Sequence, residues 1–162
     1  MNIRHTIRLS LLLLLLLVRP GVSEEKPPAY SLEKIRGKVV WQADALQRRY
    51  GVGTLPEARK RVLALETPKG EIHPLVEDLR GRSFRKDPRL MEMQLELLVR
   101  RYQKAAPLQV IRIYEIRPQK NGQEERLLID YWCDICSIIM FEYGPCDCCQ
   151  DHNRLRKRAV ER

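Results

Sequence analysis

All five cysteines of the chain fall within seventeen residues near its C-terminus: Cys133, Cys136, Cys146, Cys148 and Cys149. Taking Cys146 with Cys149 gives the spacing C-x2-C-x9-C-x2-C. Two thiolates separated by two residues can share a tight turn with both sulfurs aimed at one point. Two such turns, brought together, complete a tetrahedral all-sulfur shell of the kind that holds Zn2+ at about 2.3 Å. Cys133, Cys136, Cys146 and Cys149 are therefore the candidate metal ligands, and zinc is the candidate cofactor. Cys148 and His152 are spare donors, either of which could replace one of the four. Gly144-Pro145 before the second pair is turn chemistry, and Ser137–Tyr143 is apolar enough to return the chain between the pairs.

Other chemistry competes for the same residues. Disulfides form in exported chains, although an odd number of cysteines does not close into pairs. A Cys133–Cys136 bridge would make the small ring of a thiol-redox site, but no helix N-terminus follows to lower the thiol pKa. Excess soft thiolates also suit Cu(I), and hence copper handling. CxxCH is absent, so attached c-type haem is not indicated. An oxidising compartment disfavours an iron–sulfur cluster. No GxSxG, HExxH, P-loop or GxGxxG occurs, and no group offers a nucleophile beside a base. His73 reads as a surface residue. No catalytic residue is assigned, and a closed shell of four thiolates leaves no coordination position for substrate. A structural metal in a non-enzymatic binding or interaction module is the favoured reading; a thiol-redox or copper-handling protein is the alternative.

Residues 1–23 read as a secretory signal peptide. Arg4 and Arg8 give a positive start, Leu9–Val18 is apolar except for Ser10, and Gly21 and Ser23 suit a cleavage site. The apolar run is shorter than the roughly 20 residues a membrane helix needs, so no transmembrane span is expected in the mature chain. The expected location is periplasmic or extracellular. The whole chain has a formal charge of +9. Removing residues 1–23 takes away Arg4, Arg8 and Arg19 and no acid, leaving 27 basic against 21 acidic side chains, a net of +6. That balance suits an anionic surface or another exported protein as partner, and export argues against nucleic acid. Basic residues cluster at Arg80, Arg82, Arg85, Lys86 and Arg89, and again at Arg154, Arg156, Lys157 and Arg158. With one aromatic, Phe84, in the first and none in the second, a solvated face is the favoured reading of both, with an anion-binding loop as the alternative for the first.

The elements that must position the cysteines read as mainly β. Pro27-Pro28 marks residues 24–31 as an extended linker. Lys38–Trp41 is a short β run. Ala43, Leu46 and Tyr50 suit helical turns stopped by Gly51. Arg61–Thr67 and Glu71–Val76 flank Pro68-Lys69-Gly70 as a hairpin. Asp87-Pro88 is an N-cap followed by proline at the first helical position. In Glu92–Arg100, Met93, Leu95, Leu97 and Val99 alternate with other residues and define a buried face. Leu108–Arg117 is apolar in both phases, as in a central strand or one carrying a bulge. Asn121-Gly122 is a turn, and Arg126–Trp132 is a strand delivering Cys133. The order predicts a small five-stranded Greek-key barrel over 32–132 with short helical links, a cysteine-rich knuckle at 133–152 and a basic tail at 153–162. Over residues 35–117 the layout, with Gly37-Lys38-Val39-Val40 opening a strand, resembles bacterial exported domains of the oligonucleotide/oligosaccharide-binding (OB) type; a generic small β-barrel or a half-open β-sandwich is the alternative.

Three further segments carry a resemblance. They are Val-Glu-Asp-Leu-Arg-Gly-Arg-Ser-Phe-Arg (76–85), Leu-Leu-Val-Arg-Arg-Tyr (97–102), and Asp-Tyr-Trp-Cys-Asp-Ile-Cys with Pro-Cys-Asp-Cys-Cys-Gln (130–136, 145–150). Together they make the chain similar to a family of small exported proteins from planctomycete-type bacteria. The resemblance implies export and marks the cysteine cluster as a signature. It brings no activity and no catalytic residue.

Overall fold

The computed structural model describes residues 29–160. The signal-peptide reading of 1–23, residues 24–28 of the expected linker and the last two residues of the expected tail lie outside the described residues. Eight strands form one antiparallel sheet in the neighbour order β3-β2-β1-β4-β5-β6-β7, with β8 paired to β6. They are β1 Tyr30–Trp41, β2 Leu63–Glu66, β3 Ile72–Pro74, β4 Leu95–Tyr102, β5 Leu108–Pro118, β6 Glu124–Cys133, β7 Ile138–Met140 and β8 Arg154–Ala159. Two helices, α1 Gln42–Tyr50 and α2 Ser83–Lys86, and two 3-10 turns, Pro56–Ala58 and Pro88–Glu92, make up the helical links. Among the described residues no helix is long and apolar enough to cross a membrane.

β1 organises the sheet. It begins at Tyr30, inside the stretch expected to be linker, and runs much further than the short run at Lys38–Trp41. Its first part, Tyr30–Gly37, pairs with β4, and its last part, Lys38–Trp41, pairs with β2. Gly37 sits at the changeover, where a Cβ would lie 2.3 Å from the Glu66 carbonyl oxygen. Only a residue without a side chain lets β1 approach β2 this closely while it still pairs with β4. β1 then passes directly into α1, which buries Ala43 and Ala45 and stops at Gly51 with φ 68°.

The alternation in β4 is real. Leu95, Leu97 and Val99 are buried, each worth about 1.5–3 kcal/mol, and join Val39, Leu63 and Leu65 in one core. Met93 is only half-buried, because the 3-10 turn begun by Asp87-Pro88 runs to Glu92 and the strand starts at Leu95. Phe84 of α2 and Leu90 fill the same core from the connection between β3 and β4. β5 is both a central strand and a bulged one. Its pairing with β4 passes from Leu98–Arg112 to Val99–Val110, which leaves Ile111 as the extra residue and accounts for apolar positions in both phases. Tyr114 and Tyr131 are buried, and half-buried Tyr102 donates its hydroxyl to Gln109.

Two expectations are corrected. The sheet is open; a closed five-stranded barrel does not form. β3 is three residues long and ends at Pro74, which has no N–H to give. Its approach to β5 is limited to a parallel bridge between Leu75 and Leu108 and a Val76 N–H bond to the Leu108 carbonyl at 2.9 Å. From Ile113 onward β5 pairs with β6, which extends the sheet outward. The basic tail, in turn, contains a strand. Arg154–Ala159 pairs with β6 along Leu127–Trp132.

We predict that Gly37→Ala lowers stability by about 1–3 kcal/mol, since the methyl group meets backbone that cannot swing away. Urea unfolding measures this, and an unchanged midpoint would mean that β1 can leave β2 without penalty.

Candidate metal centre

β6 carries the first thiol to its place. Cys133 is its last residue, buried and fixed by pairing with Ile138 of β7. The chain then turns tightly. The Ser137 N–H donates to the Cys133 carbonyl at 2.9 Å, and the Cys136 N–H points at the Cys133 Sγ at 3.4 Å. Ser137 has φ 55°, in the left-handed region. The second pair repeats this turn. The Gln150 N–H donates to the Cys146 carbonyl at 2.9 Å, and Gln150 has φ 64°. A Pro145–His152 bridge and a Cys146 N–H bond to the Asp151 carbonyl at 2.7 Å close its base. Two unrelated stretches of sequence thus adopt one conformation, and each directs backbone N–H groups at the sulfur of its first cysteine.

The two turns face each other. The sulfurs of Cys133, Cys136, Cys146 and Cys149 all lie within 4.8 Å of one another, with Cys133 and Cys149 at 3.4 Å. Sulfurs at the corners of a tetrahedron with bonds of about 2.3 Å stand about 3.8 Å apart, so four cysteines so placed could hold a metal ion. All five thiols are free. Cys148 is exposed and stands outside the group of four. His152 also stands outside it, exposed, with its ring 6.1 Å from that of Tyr143.

The thiols perturb one another. The N–H groups of Cys149 and Cys148 draw the Cys146 thiol down to about 7. Sharing with the Cys148 and Cys149 thiols, together with burial, pushes Cys136 up. At Cys133 the Cys136 N–H pulls downward, but burial and the neighbouring thiols of Cys149 and Cys146 win, and the thiol is raised. A cation among them removes the conflict by stabilising every thiolate together.

No family model, curated protein or solved structure matches this chain. Its site is therefore argued from its own side chains.

The loop between the two turns is clasped by the first arginine cluster. Arg80 lies over the Phe141 ring at 3.7 Å, Arg82 grips Glu142 with bonds of 2.6 and 2.7 Å, and Arg89 stands 5.3 Å from the Tyr143 ring. Arg85 instead binds Glu77 and the carbonyls of Lys60 and Arg61. Only Lys86 of the cluster stays free of such partners among the described residues, so the group is a solvent-exposed face whose guanidinium groups are engaged within the chain. Spacing gave no sign of the loop partners of Arg80, Arg82 and Arg89, of which Glu142 lies 60 residues from Arg82. Asn153, buried, donates from Nδ2 to the Glu142 carbonyl and accepts the Gly144 N–H on Oδ1. Nothing in the local sequence pointed to it. The second basic cluster is also spent internally: Arg154 binds Asp134, Arg156 and Arg158 bind Asp130, and Lys157 reaches Glu115 at 2.8 Å.

Beneath the site, Asp87 joins the 3-10 turn to β6. It is buried, accepts the Tyr131 hydroxyl at 2.9 Å and is held by Arg89 with two bonds of 2.7 Å. Burial alone would raise the Asp87 carboxyl, but Arg89 and Tyr131 outweigh it and hold it below its usual range. Burial and the Asp87 carboxylate push the Tyr131 phenol well above its usual value.

Two predictions follow from these contacts. Cys133→Ser or Cys149→Ser will abolish metal retention and loosen residues 134–153, while β8 stays protected by its ladder and its arginine–aspartate pairs. Cys148→Ser will do neither. Hydrogen exchange with metal analysis on the three variants checks this, and metal loss in Cys148→Ser would overturn the ligand set. Separately, a carboxyl lowered by folding contributes stability above its unfolded pKa, and the contribution is lost as pH falls through the folded value. Asp87→Asn will therefore cost about 1–3 kcal/mol at neutral pH. Its gap from the native protein will close below about pH 4, as read from urea unfolding across pH.

Proposed function

We propose that this chain is an exported, non-enzymatic binding or interaction module whose C-terminal lobe is folded around a structural zinc ion held by Cys133, Cys136, Cys146 and Cys149. The observation that carries the reading is the repeated turn. Two CxxC segments share one backbone conformation, place four sulfurs within 4.8 Å and aim N–H groups at sulfur. Such N–H groups favour thiolates, the form a metal requires. Export rests on the basic and apolar character of residues 1–23 and on the resemblance to small exported planctomycete-type proteins. Within β1–β5 we favour an incompletely closed OB-like unit. The Leu75–Leu108 bridge and the helical link between β3 and β4 support it.

Zinc would serve here as a staple. It would fix the loop at 137–145 and leave no coordination position for a substrate. Contacts such as the Arg82–Glu142 pair and the arginine–aromatic stacks are worth about 1 kcal/mol each. A structural zinc contributes about 10–16 kcal/mol, so the ion rather than the clasp decides whether the lobe is folded.

Protein purified without oxygen should contain one zinc per chain, with one thiol, Cys148, modified readily and the other four protected until a chelator is added. Elemental analysis with a thiol count reads both. Protein without metal that cycles through a Cys133–Cys136 disulfide would establish the thiol-redox reading in its place, and copper at the same sulfurs would establish copper handling.

A further inference from the structure

β7, as short as β3, is a sheet edge that neither charge nor proline guards. Exposed edges pair with other chains unless shortness, charge or proline blunts them. β3 is three residues long and contains His73 and Pro74, and β8 reads Arg-Leu-Arg-Lys-Arg-Ala. β7 reads Ile-Ile-Met, with Ile138 and Ile139 both exposed. The apolar surface continues beside it through Ile135, Phe141 and Tyr143, and across a cleft to Leu79. Of the twelve large hydrophobics exposed among the described residues, five belong to this lobe and Leu79 across the cleft makes a sixth. They present on the order of 500 Å2, near the upper end for a monomer and over half of the roughly 800 Å2 that each partner gives to a standard interface.

Charge selects the occupant. The cleft, about 370 Å3, has Leu79 and Lys86 on one wall and residues from Ile139 to Asp147 on the other. Arg82, Arg85 and Arg89 beside it are already paired within the chain. Lys86 on the first wall and Asp147 on the second have no ion-pair partner among the described residues. An isologous contact needs a patch complementary to itself. An apolar centre between a free cation on one wall and a free anion on the other meets that need. A two-fold axis sets Lys86 of one copy against Asp147 of the partner subunit, and the reverse, with β7 at the centre.

We propose that a second copy of this chain docks here, giving a two-fold dimer through the β7 edge and the walls of the cleft. The longer wall lies between Cys136 and Cys149, so the dimer is also metal-dependent; that clause rests on the zinc reading, while the interface itself does not.

Sedimentation velocity over rising concentration tests it on the purified protein, with metal content measured on every sample. The native protein is expected to be dimeric, and Ile139→Lys monomeric with unchanged metal. Lys86→Glu and Asp147→Lys each weaken the dimer about tenfold, and the double variant restores it. A native protein that stays monomeric at its highest soluble concentration with full metal overturns the interface and leaves the zinc reading standing. A double variant no tighter than either single one overturns the proposed pairing of the walls. A dimer that survives removal of the metal overturns the metal dependence alone.

Discussion

Four sulfurs within 4.8 Å of one another are the constraint on which the C-terminal part of the structure depends. As thiols they form only weak hydrogen bonds. Sharing hydrogen bonds with neighbouring thiols, together with burial, raises the Cys136 thiol, and burial and the neighbouring thiols raise Cys133, even while N–H groups draw Cys146 down. The surrounding backbone nevertheless holds them together and accepts strain to do so. Ser137 and Gln150 both take left-handed φ values without being glycine, at about 1–2 kcal/mol each. Strain in the same place in two turns persists only where something stronger over-determines it. The two turns differ in sequence and share a conformation, and in each that conformation turns the cysteine sulfurs toward the opposite pair.

β6 transmits that constraint to the rest of the sheet. It pairs with β5 along its first half, with β8 along its second, and with β7 at its end. Asp130 and Tyr131, just before Cys133, are both buried and both bonded: Asp130 to Arg156 and Arg158, Tyr131 to Asp87. Cys133 thus moves only if the core strand moves. Cys146 has no such anchor in the core. Its position depends on Asn153, on the Pro145–His152 bridge and on the clasp over Phe141–Tyr143. The site therefore joins one rigid half to one conditional half. That asymmetry fits the gathering of exposed apolar surface at 135–143: a segment with little core of its own has nowhere to hide isoleucines.

How much of this was legible in the sequence follows the range of the interactions. Local signals were read directly. Pro68-Lys69-Gly70 and Asn121-Gly122 gave hairpins, Asp87-Pro88 capped a 3-10 turn, and the alternation at Leu95, Leu97 and Val99 gave a buried face. The four-cysteine group needed only the CxxC spacing, because two residues between thiols restrict the turn geometry. Barrel closure was not legible, since it depended on whether Leu75 and Leu108 would begin a ladder or stop at one bridge. β8 was hidden for a different reason. Arg154–Ala159 has one large apolar residue and no alternation, and it is a strand because Asp130 and Glu115 are waiting on the sheet. A pattern that depends on a partner twenty or more residues away leaves no trace in its own six positions.

That distinction changes what the positive charge means. A net basic chain with two arginine clusters invites a polyanionic partner, and the sequence carries no means of telling a free guanidinium from a committed one. Here most of the clustered cations are committed: Arg82, Arg85, Arg89, Arg154, Arg156, Lys157 and Arg158 are each within reach of a carboxylate, and Arg80 covers Phe141. Ion pairs at this exposure add little to stability individually, but each fixes a guanidinium that would otherwise be available to a phosphate or sulfate. Releasing Arg89 to bind an external anion would strand the buried Asp87 without a counter-charge, at a cost of several kcal/mol, and releasing Arg156 or Arg158 would leave the buried Asp130 with one partner in place of two. The basic clusters are better understood as the outer layer of the fold. They guard the β8 edge, clasp the loop of the metal centre, and leave the uncharged edge at β7 as the surface most open to a partner.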